Sequence, residues 1–124
     1  MSLVRSTGKA ITIIESGSNM NGEYIKFSNG FMLCTKIIDV SNIQISNSDN
    51  ALKYAVVESS LFPDKFKELY NINAFGSGGP STFLVGNGGA PGLDKTGSFV
   101  LYSTANKTLP SGTFISVIAT GTWK

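Results

Sequence analysis

Short apolar runs alternate with polar residues along this chain, and clusters of turn formers interrupt them at close intervals. The clearest case is residues 16–40, SGSNMNGEYIKFSNGFMLCTKIIDV. The Ser/Gly/Asn cluster over 15–22 predicts a turn, and 24–27 a short strand. Ser28-Asn29-Gly30 predicts a hairpin turn, because Asn-Gly tolerates the positive φ angles of a tight reversal. Residues 31–40 are then the return strand. Phe31, Leu33, Thr35 and Ile37 fall on one of its faces; Met32, Cys34, Lys36, Ile38 and Val40 fall on the other. An antiparallel strand with one wet side alternates apolar and polar. Apolar residues on both faces therefore predict cover from the chain's own core on one side and from something else, such as a neighbouring subunit, on the other.

The rest of the chain repeats the pattern. Residues 1–14 read as a lead-in, with a β-rich stretch at 10–14. Polar 41–50 is a loop with a short strand at 43–45, and 53–58 is a strand. Residues 59–69 (SSLFPDKFKEL) hold the single candidate helical turn, with Pro63 at a helix-start position. Strands follow at 70–75, 82–85 and 98–103, separated by Gly-rich loops at 76–80 and 86–97. After the loop at 104–112, the last strand, 113–123, places Ile115, Val117, Ala119 and Trp123 on one face. About seven or eight short strands broken by Gly, Pro, Asn and Ser predict an all-β fold, an antiparallel β-sandwich or barrel.

Composition narrows the possible functions. The 124 residues suit one domain. Only 15% are charged, against the usual ~25%, so part of the surface is expected to be covered by a partner. The net charge of +2 comes from scattered Lys and Arg, which provides no electrostatic footprint for nucleic acid. No run approaches the ~20 apolar residues of a membrane span. The N-terminal apolar run is too short and interrupted for a secretory signal, so assembly in a cytoplasm is expected. There is no histidine, which removes the commonest general base and zinc ligand. The one cysteine, Cys34, excludes an internal disulfide and is expected to be a small buried residue. Glu15, Glu23, Asp39, Asp49, Glu58, Asp64, Glu68 and Asp94 form no recognisable acid pair. No GxSxG or phosphate-binding loop is present. No catalytic residue, metal or cofactor is expected. Loops rich in Asn, Ser, Gly and Asp, with tyrosines nearby, suit neutral polar ligands such as sugars. The aromatics to consider are Tyr24, Tyr54, Tyr70, Tyr102 and Trp123, the last expected to pin the final strand into the core or an interface.

The opening hairpin also resembles a known family. Ser18, Asn19, Asn21, Gly22, Tyr24, Ile25, Lys26, Phe27, Gly30, Met32 and Cys34 match the motif that opens the C-terminal domain of bacteriophage and prophage tail-fibre proteins. Leu61-Phe62-Pro63 followed by Phe66, and the ending IATGTWK, are similar to that family's later segments, so the likeness spans about 15–124. Two positions depart from it: Ser28-Asn29 stands where Pro-Asp is common, and Gly121 where a bulky residue is common.

The resemblance implies a β-sandwich knob over 15–124, homotrimeric, at the tip of a small fibre protein or at the end of a longer one. Its place would be the virion, after assembly in the host cytoplasm. Its partners would be a host cell-surface glycan or other receptor and other tail-fibre or baseplate proteins, without membrane insertion. Two alternatives stand beside it: a structural tail or baseplate component with no ligand, and a polysaccharide-trimming fibre enzyme. The loop residues proposed for ligand contact are Asn73, Asn87, Asp94, Lys95, Tyr102, Asn106 and Lys107. The residues proposed for the oligomer interface are Phe31, Leu33, Ile37 and Trp123.

Overall fold

The computed structural model describes residues 5–6, 9–77 and 83–124. Among them the structure is all-β, antiparallel and without a helix. A five-stranded sheet runs in the order β3 (Ile13–Asn19), β4 (Gly22–Phe27), β5 (Phe31–Asp39), β13 (Phe114–Thr122), β9 (Glu68–Ser77). A four-stranded sheet has the order β10 (Leu84–Asn87), β11 (Phe99–Ser103), β8 (Leu52–Val57), β7 (Asn47–Asp49). Two short ribbons join β1 (Arg5–Ser6) to β2 (Lys9–Ala10) and β6 (Gln44–Ile45) to β12 (Lys107–Thr108). Eight of these strands have four or more residues. The predicted loop at 76–80 and the strand start at Thr82 lie partly outside the described residues.

The two sheets share one core. Ala55, Val57, Phe99 and Leu101 of the smaller sheet pack with Ile115 and Val117 of the larger one. Val40, Ile45 and Leu109 complete this cluster. The period-two pattern of the last strand is realised as expected: Ile115, Val117 and Ala119 are buried. A second cluster lies under the hairpin, where Met32 and Cys34 meet Phe62, Phe66 and Ala119.

The hairpin forms, with Tyr24 opposite Cys34 and Lys26 opposite Met32. Its turn spans Ser28-Asn29-Gly30, as expected, with Asn29 not at a positive φ. The Gly30 amide donates to Phe27 O at 3.0 Å, and Gly30 alone has a positive φ, +94°. This is a type I turn closed by a left-handed glycine, the three-residue alternative. Asn29 contributes its side chain, Oδ1 accepting from the Phe31 amide at 3.1 Å. Trp123 closes onto the same turn: its amide donates to Gly30 O and its indole Nε1–H to Phe27 O, both at 2.9 Å. The final strand is thus pinned where it ends.

Two expectations are corrected. The turn formers Ser16, Gly17 and Ser18 lie inside β3, paired with Ile25, Tyr24 and Glu23. Ladder pairing satisfies their backbone groups, and the reversal shifts to Met20 and Asn21. Residues 59–67 form no helical turn. Phe62 and Phe66 are spaced as on one helix face and both are buried, but their amides donate to Asp94 O and Leu93 O, each at 2.8 Å. Bonds to the 86–97 loop replace the bonds a helix would make.

This 59–67 segment is clamped across the larger sheet. Lys36 Nζ donates to Ser60 Oγ and Leu61 O at 2.7 Å, and its burial lowers its pKa. Lys26 bonds Asp64 at 2.7 Å and lies 3.6 Å from Glu15. The Asp64 bond is the main cause that raises the Lys26 pKa. Burial alone would raise the Asp64 carboxyl; the Lys26 bond and the Lys65 amide outweigh it and hold the carboxyl below its ordinary value.

Cys34 is free and 1% exposed. Burial disfavours the thiolate and pushes its pKa from 9.0 up to about 11. Between those values the unfolded chain releases a proton that the folded chain keeps. The contribution is present in full below the lower value and is lost as pH rises, by up to ~1.4 kcal/mol per unit. The stability gap between the native chain and Cys34→Ala should therefore shrink as urea unfolding is repeated from pH 8.5 to pH 11 (roughly the span of the shift). A gap independent of pH would contradict this account.

Candidate functional site

One end of the molecule gathers the features of a ligand site. The Gly-rich loop 86–97 is braced from several sides. The Thr96 amide donates to Ser60 O at 2.9 Å, the Gly97 amide to Ser59 Oγ at 3.0 Å, and the Gly88 and Gly89 amides both donate to Ser98 O. A loop whose backbone is bonded in this way holds its exposed side chains in place, as a recognition loop on a scaffold does. Beside it lies a recess of about 500 Å³, lined by Tyr70, Asn71, Asn87 and Pro91 among others.

Tyr70 reaches the rim because β9 is bulged. Asn71 pairs with Thr120 and Leu69 with Gly121, so Tyr70 is the extra residue. Simple alternation along Tyr70-Asn71-Ile72 would place Tyr70 with half-buried Ile72. The bulge turns it outward instead, and it is 62% exposed. The resulting site has an exposed aromatic ring, two exposed side-chain amides at Asn71 and Asn87, and no charged residue in its lining. Amides donate and accept, so the site suits a neutral hydroxyl-bearing ligand.

The sequence-predicted ligand residues are dispersed. Asn87 lines this recess, at the end of β10. Asp94 and Lys95 are exposed on the same braced loop, where their backbones hold the 59–67 segment through Asp94 O and a Leu61–Lys95 bridge. Asn106 and Lys107 sit beyond the other end of β11, Lys107 within β12. Asn73 is not on a loop: it lies in β9 opposite Ile118, facing outward from the larger sheet. Tyr102 is likewise a strand residue, opposite Tyr54 in β8. Asn71 was missing from the predicted set, and Tyr70 stood among the aromatics to consider but not among the ligand residues. Only Gly121, a small residue opposite a strand, hinted at the bulge.

Of the proposed interface residues, Phe31, Leu33 and Ile37 share the outer face of the larger sheet. Ile37 is 67% exposed, while Phe31 and Leu33 are half-buried. Trp123 lies apart from them, against the Met32–Phe66 cluster with Lys26 and Lys124 near its ring. Carboxylates do not converge on a catalytic pair in the recess. Glu15 accepts a 2.7 Å bond from Tyr24 Oη, which is the main reason the Tyr24 pKa is raised. Asp39 accepts from the Ser41 side chain and amide, which lower its pKa. Among the described residues, no three His, Cys, Asp or Glu side chains gather as a metal site would require. In comparisons with known proteins, no family model, curated protein or solved structure matches this chain.

Proposed function

We propose that the chain is a homotrimeric β-sandwich knob of a phage-type tail fibre that binds a neutral saccharide of the host surface without chemistry. The reading rests on the resemblance of residues 18–34 to tail-fibre knobs. The observation that supports it best is the recess where a bulge presents Tyr70 beside Asn71 and Asn87. Aromatic faces take up the apolar faces of sugar rings, and fixed amides take up their hydroxyls. Asp94 and Lys95, on the same loop, would contact more distant parts of a branched ligand.

Glycan-array binding and adsorption to host cells test this directly. Tyr70→Ala and Asn87→Ala alter exposed side chains, so folding should be unchanged. Each is expected to weaken binding by ~10-fold or more, as for a residue central to an interface. Adsorption untouched by both, but removed by changes at Asn106 and Lys107, would move the site to the opposite end. Absence of any glycan binding by the native trimer would favour a structural tail component.

A further inference from the structure

The recess beside the 86–97 loop divides its polar and apolar groups in a specific way. Its two carboxamides come from different elements, Asn71 from β9 and Asn87 from the end of β10. Both are exposed. The Gly88 and Gly89 amides are taken by Ser98 O, at 2.9 and 3.2 Å, so neither donates to a ligand. Pro91 has no amide hydrogen to offer. The same two glycines hold the loop against β11: a Cβ would lie 2.8 Å from Val100 Cγ2 at Gly88 and 2.8 Å from Ser98 Oγ at Gly89. Exposed Ala90 and Pro91 and half-buried Leu69 and Ile72 make up the apolar part of the lining, and no charged residue belongs to it.

A hydroxyl donates and accepts at a single oxygen, and one carboxamide serves it. A secondary amide makes a different demand. It is planar and trans, so its N–H and C=O point in opposite directions. One carboxamide cannot meet both. Two carboxamides on separate elements can, one accepting from the N–H through Oδ1 and the other donating Nδ2–H to the carbonyl. An acetamido group also ends in a methyl, which gains from apolar cover of the kind that Ala90 and Pro91 provide. A sugar that carries this group keeps an apolar ring face for Tyr70.

We infer that the ligand of this recess is a saccharide bearing an N-acetylated amino group, its acetamido held between Asn71 and Asn87, its methyl against Ala90 and Pro91, and its ring on Tyr70. This names the ligand class of the site proposed above and rests on that reading. The lining holds no cation for the carboxylate of an acidic sugar and no carboxylate for the ammonium of a de-acetylated one. Either charge would lose water without gaining a partner, so both classes are disfavoured.

The test compares N,N'-diacetylchitobiose with cellobiose, which carries a hydroxyl wherever the first carries an acetamido group. Binding is followed by proton–nitrogen correlation spectra, including the side-chain amides of Asn71 and Asn87. The native chain is expected to bind N,N'-diacetylchitobiose ~10-fold or more tightly, the discrimination of a pocket that receives one added group. Asn71→Asp and Asn87→Asp exchange an NH2 for an oxygen at exposed positions, so thermal unfolding should match the native chain. A carboxylate can replace the accepting carboxamide but not the donating one. One variant is therefore expected to lose the preference and the other to keep it; a preference kept by both would overturn the pairing. Triglycine supplies secondary amides without a sugar ring, and binding of triglycine as tight as that of N,N'-diacetylchitobiose would overturn the saccharide in favour of a peptide. Equal affinity for the two disaccharides would overturn the acetamido assignment and leave a neutral-saccharide site standing. So would the binding of neither, if the glycan array shows a sugar free of acetamido groups. No glycan bound at all would overturn the neutral-saccharide reading itself.

Discussion

Gly121→Ala is expected to lower stability by ~3 kcal/mol or more, the upper end of the cost of overpacking. At Gly121 in β13 the backbone of β9 comes so close that an added Cβ would overlap Glu68 O, with Phe66 Cδ1 2.8 Å away. The first obstacle is main chain and the second is a fully buried ring, so neither yields cheaply. The position sits at the register shift that ejects Tyr70. A side chain there would force the strands apart or dissolve the bulge, and either change disturbs the recess. Thermal unfolding should show the midpoint falling by ~10 °C or more for a domain of this size. A midpoint within ~2 °C of the native value would mean that the strands separate freely and that the bulge does not depend on glycine.

Phe66→Ala is the second large effect expected. Phe66 is 1% exposed and meets Phe62 edge to face, with ring centroids 5.2 Å apart. Truncating a buried phenylalanine costs ~3–5 kcal/mol. The loss falls on the segment that covers Cys34 and should appear first as local opening. Labelling of the Cys34 thiol in native buffer at pH 8 should accelerate by ~100-fold, the equivalent of ~2.7 kcal/mol in the opening equilibrium. Leu93→Ala, at a position 43% exposed, serves as the comparison and should leave labelling nearly unchanged. Equal labelling rates in Phe66→Ala and the native chain would show that the 59–67 segment does not guard the thiol.

The recess and the 59–67 segment, a strap over the larger sheet, share a physical origin. The 86–97 loop accepts hydrogen bonds from the Phe62 and Phe66 amides through its carbonyls, while its Asn87 end lines the recess. Damage to the strap should therefore reach the proposed ligand site, whereas the outward sheet faces are set by strand pairing and should be spared.

The sequence by itself determined the elements whose signal is local. The alternation in 113–123 placed Ile115, Val117 and Ala119 inside, because side chains of a strand point alternately to its two faces. Gly30 marked the hairpin, since a left-handed residue is required there. Cys34 between apolar neighbours was legible as buried. Apolar residues on both faces of 31–40 were legible too; the inner ones, Met32 and Cys34, are buried, and Ile37 on the outer face is exposed. Only the tertiary structure decided the rest. Ser16, Gly17 and Ser18 became strand because β4 supplied ladder partners, which outweighs turn propensity. Residues 59–67 declined a helix because a distant loop offered carbonyls to their amides. Tyr70 turned outward because β9 holds one more residue than β13 across from it, a mismatch between segments nearly fifty positions apart. Such pairings depend on which strands meet, and a pattern read along one strand carries no record of its neighbour.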